Sequence, residues 1–243
     1  MTTVLSIGTT HPWNIAGVGL DLRIGAELGV RVLTVVCAVS AQDAHGLHAL
    51  HPVPRAVIEA ELASIPWDRV DAVRIGAAGS AEAVYALAEA VRVPGIPVVV
   101  DPVFAATRGG EFADEAAIRA IHDRLLPMPT AILTPNLAEA GVLLGGLRIE
   151  RANLEDAAAQ LQARGARGVL LKGGHLAGAP VDVLASAAGV EVFEGERIAG
   201  EMRGTGCTLA MALACALAGG ETLVDAVIFA RGFVREKIAQ ANP

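Results

Sequence analysis

The sequence predicts an α/β protein with a mostly parallel central sheet and helices on both of its faces. Two patterns predict it. Short β-branched runs alternate with Ala-rich amphipathic segments along the chain, and no linker, repeat or low-complexity block interrupts them, which reads as one domain over residues 1–243. A length of 243 residues at 53% hydrophobic and 19% charged supplies apolar area for one large core. The first strand is read over 3 to 8 and its crossover helix over 16 to 28. A run with Val at 32, 35, 36 and 39 places the second strand at 31 to 39, followed by a helix at 55 to 64. Strands at 71 to 76, 97 to 101, 130 to 134 and 167 to 172 then alternate with helices at 80 to 91, 113 to 125 and 153 to 164. The sixth of these strands is built on the run Gly168-Val169-Leu170-Leu171 and the fourth on Val98-Val99-Val100. After Lys172 the pattern changes to two short strands, 181 to 186 and 190 to 195, joined by Ala188-Gly189 as a hairpin closing the sheet edge. Helices at 205 to 218 and 221 to 239 complete the chain.

Composition excludes several classes of function. Twenty-six acidic against 19 basic residues give a net charge of −7, and the basic residues stand singly, so a nucleic-acid partner is disfavoured. Cys37, Cys207 and Cys215 show no CxxC or Cys/His metal spacing, which suits a reducing compartment, and the cytoplasm is expected. The start MTTVLSIGTTHPW has no basic segment before an apolar run, so no export signal is expected. The longest uncharged stretch, seventeen residues between Arg203 and Glu221, falls short of a membrane span and reads as a buried helix. No membrane partner is expected.

Ligands of open α/β sheets bind beyond the carboxyl ends of the strands, and the residues there carry chemistry. Gly204-Thr205-Gly206-Cys207-Thr208 precedes a strongly apolar helix, where glycines let backbone N–H groups converge at the positive end of the helix dipole, an anion hole. Cys207 falls in the first turn of that helix, where the dipole should lower its pKa and make it usable as a base or nucleophile. Asn136 and Glu139 stand three apart at a helix start after Thr134-Pro135. They suit a hydrated Mg²⁺, and equally a capping box. Asp101 follows a buried strand directly, as a cleft acid or as a turn initiator before Pro102. Lys172, followed by Gly173 and Gly174, could neutralise phosphate charge or simply be a solvated strand end, and His175 has a weaker claim to a place beside phosphate. No Walker A and no GxGxxG pattern occurs.

Together Gly204-Thr205-Gly206-Cys207-Thr208-Leu209, Leu133-Thr134-Pro135-Asn136-Leu137-Ala138-Glu139-Ala140, Leu171-Lys172-Gly173-Gly174-His175-Leu176 and Val100-Asp101-Pro102-Val103 resemble the ribokinase-like superfamily. The resemblance is strongest to the hydroxymethylpyrimidine and phosphomethylpyrimidine kinases of thiamine biosynthesis, because Cys replaces the usual Asp at position 207. It implies a ribokinase-like three-layer fold and ATP-dependent phosphorylation of hydroxymethylpyrimidine, its monophosphate, or both, with ATP and Mg²⁺ as cofactors and a homodimer as the assembly. Carried residue by residue, Cys207 is the implied base with Gly204, Thr205 and Gly206 as the anion cradle. Lys172, Asn136, Thr134 and Gly174 are implied at the nucleotide, Asp101 and Glu139 at the metal, and Asp21 and Gln42 at the aminopyrimidine.

The acceptor side departs from the family pattern. The first loop reads Thr9-Thr10-His11-Pro12-Trp13-Asn14-Ile15-Ala16-Gly17, with His11 in place of an acid and Asn14 and Ile15 in place of glycines. Ala77 replaces the methionine that covers the pyrimidine, so the pocket is expected to be wider or filled by Trp13. Thr107 or Arg108 replaces a lysine, and Arg203 stands where histidine is common. These departures keep two alternatives open: a kinase for pyridoxal or a related ring alcohol, and a catalytically silent pyrimidine-binding protein.

Overall fold

In the computed structural model, residues 1–241 are described except positions 44, 107, 108, 175, 177 and 201. Thr107, Arg108 and His175, singled out above, lie outside the described residues. One nine-stranded sheet runs through the chain: β1 (Thr3–Thr10), β2 (Arg31–Gln42), β3 (Leu47–Pro52), β4 (Ala72–Ile75), β5 (Val98–Val100), β6 (Ala131–Leu133), β7 (Gly168–Lys172), β8 (Val181–Ser186) and β9 (Gly189–Glu194). Their spatial order is β3-β2-β1-β4-β5-β6-β7-β8-β9. Pairing is parallel from β2 through β7 and antiparallel where β3 joins β2 and where β8 and β9 extend the other side.

The helices are α1 (Gly17–Glu27), α2 (Arg55–Ala63), α3 (Ala81–Ala90), α4 (Glu115–Ala120), α5 (Leu137–Leu143), α6 (Leu154–Gln162), α7 (Thr205–Ala218) and α8 (Leu223–Gln240). Alternation along the strands divides the core in two. Leu5, Ile7, Val73, Ile75, Val98, Val100, Leu133, Val169 and Leu171 pack under α2 to α6, while Val4, Ala72, Val99, Ile132 and Leu170 pack under α1, α7 and α8. The uncharged stretch is α7: every residue from Thr208 to Leu217 is buried, wedged between the sheet, α1 and α8.

Three features differ from the expected elements. Strand β3 is additional, and β1 and β2 run on to Thr10 and Gln42, so an antiparallel arm of β2 and β3 projects past the carboxyl edge. The expected helix at 113 to 125 changes from α4 into a π-helical stretch at Ile121–Leu125. The last hairpin turns on Ala187 and Ala188, with Gly189 opening β9 at φ 121°, one residue earlier than expected. Because the chain passes from β1 outward to β2 and β3 before returning to β4, the order reverses at β1, and a crevice opens there beyond the strand ends.

Candidate active site

Four strands and two helix starts deliver the charged residues to that edge. Asp101 follows β5 and is only 2% exposed; Lys172 ends β7 and places Nζ 2.8 Å from Asp101 Oδ1. Thr134, after β6, is fully buried and donates Oγ1 to the same oxygen at 3.2 Å. Burial alone would raise the Asp101 pKa, but Lys172 and Arg74 outweigh it and hold the carboxyl below its usual value. Lys172 in turn is held above its usual pKa: burial pulls it down, and Asp101 and Glu139 more than restore it.

The second acid lies on α5. Asn136 is the N-cap; its Oδ1 accepts from the Glu139 N–H at 2.9 Å, and Glu139 Oε2 accepts from the Asn136 N–H at 2.7 Å. The capping box therefore exists alongside any ligand role, leaving the amide nitrogen of Asn136 and Oε1 of Glu139 outside the cap. Burial, assisted by Asp101, pushes Glu139 up to about 7 against the opposing pull of Lys172.

Above these groups stands the first turn of α7. Gly204 caps it at φ 78°, a left-handed conformation, and a Cβ there would fall 2.3 Å from the Ile15 carbonyl oxygen. Thr208 N–H makes the first helical bond to Gly204 O at 2.8 Å, so the N–H groups of residues 205 to 207 point out of the helix end. Gly206 presses against the charged pair: a Cβ would lie 3.3 Å from Lys172 Nζ and 3.9 Å from Asp101 Oδ2. Gly174 sits in the turn after β7 with nothing within 4 Å of its Cβ position. Glycine-lined N–H groups, a lysine, an aspartate and a largely buried thiol thus converge on one point, the arrangement that stabilises charge on a transferring phosphoryl group.

A family model described as Phosphomethylpyrimidine kinase matches residues 13–243. The chain belongs to the phosphomethylpyrimidine kinase family. The hydroxymethylpyrimidine/phosphomethylpyrimidine kinase of Streptomyces coelicolor is 36% identical over 242 residues, covering 99% of this chain and 90% of that protein. That of Rhizobium meliloti is 34% identical over 254 residues, covering all of this chain and 92% of the relative. Among solved structures, the phosphomethylpyrimidine kinase of Clostridium difficile aligns with a TM-score of 0.84 at 26% identity over the whole of both chains. The pyridoxal kinase of Staphylococcus aureus in complex with pyridoxal aligns at 0.88 and 27% identity, covering 98% of this chain and 88% of that one. The fold is ribokinase-like, and the protein is a phosphotransferase.

Several sequence expectations need correction in this kinase. The helix dipole does not lower the Cys207 pKa: burial pushes the thiol up, with Asp101 and Asp21 adding to it, and Arg74 and the Gly17 N–H offset only part. Thr134, expected at the nucleotide, is wholly enclosed, and its hydroxyl donates to Asp101. Asp21 on α1 is likewise enclosed, with Oδ2 accepting from Ser6 Oγ at 2.6 Å and facing Arg74 Nη1 at 3.2 Å. Burial raises its pKa against the pull of Arg74 and Ser6. Trp13 does not fill the space left at Ala77; it is 62% exposed.

The altered first loop has its own logic. Asn14 adopts φ 49°, the left-handed region in which asparagine best replaces glycine, and its Oδ1 fills the space over Gly19. His11 is buried and accepts the Ala16 N–H through Nε2 at 3.2 Å, closing the loop; burial lowers its pKa. Gln42, at the end of β2, donates Nε2 to Ser40 Oγ at 3.2 Å, and Ser40 donates to the Thr10 carbonyl, which brings Gln42 to this loop. Arg203 reaches across to the Asp43 carbonyl at 2.7 Å and ties the approach to α7 to the β2 arm. Sequence reasoning passed over Arg74, a fully buried guanidinium in β4; the signal was a lone charge inside an apolar central strand.

Proposed function

We propose that this kinase transfers the γ-phosphoryl group of ATP to the hydroxymethyl group of hydroxymethylpyrimidine, to the phosphate of its monophosphate, or to both in turn. The observation that supports it best is the convergence of Lys172 and Asp101 on the open N–H groups of residues 205 to 207, with Cys207 beside them.

In this reading Lys172 approaches the transferring phosphate, Gly174 and the Asn136 amide border the nucleotide, and Gly204, Thr205 and Gly206 shape the cradle. Asp101 and Glu139 fit a hydrated Mg²⁺. Asp101 already accepts from Lys172, Thr134 and Arg74, while Oε1 of Glu139 stands outside the cap, so the pair would hold such an ion through its waters. That ion would neutralise phosphate charge. Among the described residues no group of three or more His, Cys, Asp or Glu side chains forms a protein-only metal cage. Cys207 acts as a thiolate: its sulfur takes the proton of the attacking hydroxyl and becomes the thiol as the bond from the γ-phosphoryl group to ADP breaks and the new P–O bond forms beside the N–H cradle; burial, by raising its pKa, makes that thiolate the stronger base. Positioning and electrostatics supply the remainder. Gln42 faces the acceptor ring from the first-loop side. No helix among the described residues is long and apolar enough to cross a membrane, and we read the assembly as a homodimer, to be checked by light scattering against the 24.8 kDa chain mass.

Pyridoxal is the second acceptor in this reading, supported by the small Ala77, the outward Trp13 and the close superposition of the pyridoxal kinase fold. The deciding experiment is ADP release with Mg-ATP and, in turn, hydroxymethylpyrimidine, its monophosphate and pyridoxal, with thermal shifts on the same samples. Turnover with a pyrimidine is expected. Turnover with pyridoxal alone would move the substrate, and stabilisation by a pyrimidine without ADP would leave a binding protein.

A further inference from the structure

Arg74 is the one fully buried cation in the described structure that no motif accounts for. A guanidinium with no exposed surface must be matched by anions, and it has two: Asp21 Oδ2 lies 3.2 Å from Nη1 and Asp101 Oδ2 lies 3.2 Å from Nη2. Its space is built into the strand. A Cβ on Gly76 would fall 2.1 Å from Nη1, so only glycine there admits the side chain, and Gly8 flanks it at 3.7 Å. Because Val73 and Ile75 point to the opposite core, Arg74 is turned toward α1 and α7, and its charge acts on the Cys207 sulfur. Nε and Nη1 are buried without a hydrogen bond of good geometry, and Asp101 Oδ2, 3.2 Å from Nη2, lies 3.9 Å from where a Cβ on Gly206 would fall, which brings the guanidinium to the first turn of α7 beside Cys207.

We propose that Arg74 is a positioning residue for phosphoryl transfer: clamped between Asp21 and Asp101, it holds its cation against Cys207 so that the sulfur can carry negative charge while the acceptor is deprotonated. The surroundings of the sulfur make such a cation necessary. Asp101 beyond β5 and Asp21 on α1 oppose a thiolate; Lys172 on β7 is neutralised at 2.8 Å by Asp101; the Gly17 N–H and the end of α7 contribute only dipoles. Arg74 is the first among the groups that favour the charged sulfur. The turnover part of the proposal rests on Cys207 being the base, whereas the effect on the thiol stands apart from it.

The test is the rate at which iodoacetamide alkylates Cys207 at pH 8, read by peptide mass spectrometry, beside kcat and KM for ATP. Cys37 and Cys215 are buried with thiols pushed up to about 12 and do not compete. In Arg74→Gln, alkylation is expected to slow about tenfold, the equivalent of one pKa unit, and kcat to fall about 100-fold with KM for ATP within about threefold. Arg74→Lys, keeping the charge, recovers most of both. An arginine that merely holds the fold predicts the opposite sign, because losing it opens the site and the thiol reacts faster. Alkylation as fast as in the wild type, or Lys no better than Gln, overturns the proposal. If Arg74→Gln fails to fold, Asp21→Asn/Arg74→Gln removes an anion together with the cation, and slower alkylation is again required. Full turnover in Cys207→Ala would sink the base assignment but leave the alkylation result to decide the role of Arg74.

Discussion

Cys207 shows how a local rule can be overridden at a single atom. A thiol in the first turn of a helix is ordinarily acidified by the dipole, yet here two buried carboxylates and loss of solvent act in the other direction and win. The thiolate of Cys207, once formed, is the more basic for that shift. Replacing it with alanine should lower kcat by about 100-fold or more while changing KM for ATP by less than about threefold, since Cys207 is assigned to the acceptor proton and Lys172 to the phosphates. Steady-state ADP release measures both constants. An alanine variant with unaltered kcat would remove Cys207 from the chemistry.

At the scale of elements, the site depends on two left-handed glycines where chain segments touch. Gly17 opens α1 at φ 61°, where a Cβ would fall 2.2 Å from the Thr9 carbonyl oxygen; Gly204 opens α7 at φ 78° against Ile15. Each lets a helix N-terminus start directly against the first loop, which is how the Gly17 N–H comes to face Cys207. Gly204→Ala should cost about 1 to 3 kcal/mol of stability and displace the N–H cradle, so activity should fall further than stability. Urea unfolding beside kcat separates the two, and an alanine variant of wild-type stability and rate would show that the backbone there is not constrained.

For the molecule as a whole, one sheet edge gathers several buried ionisable groups whose pKa shifts have opposite signs, so stability must depend on pH. Glu139 is raised to about 7, mainly by burial, which means the folded protein binds its proton more tightly than the unfolded chain does. Its contribution is complete below the unfolded pKa and is lost as pH rises through about 7, an amount on the order of 3 kcal/mol in the metal-free protein. Asp101, held low, works the other way: its contribution is present above the unfolded pKa and disappears as pH falls. Glu139→Gln should therefore melt above the wild type at pH 8.5 and lose that advantage at pH 5, while abolishing most turnover. Melting curves that stay parallel across this range would contradict the assignment.

Periodicity along the chain was enough to place the central strands, the helices on both faces and the glycine turn at Gly204 to Cys207, because each is encoded by local spacing of apolar residues or glycines. Strand β3 was illegible: Leu-His-Ala-Leu-His-Pro is partly or fully exposed at every position and is a strand only because β2 supplies its hydrogen bonds. The motif residues Asp101, Lys172, Glu139 and Cys207 could be named from the chain, but not what surrounds them. Enclosure of Asp21 and Thr134, the upward shift of Cys207 and the clamp on Arg74 arise from groups far apart in sequence, such as Ser6 with Asp21 and Asp21 with Cys207, meeting at one sheet edge. Local pattern determines which residues are carried to that edge. Burial and charge, which exist only once the strands have paired and α7 has closed over them, decide what those residues can do.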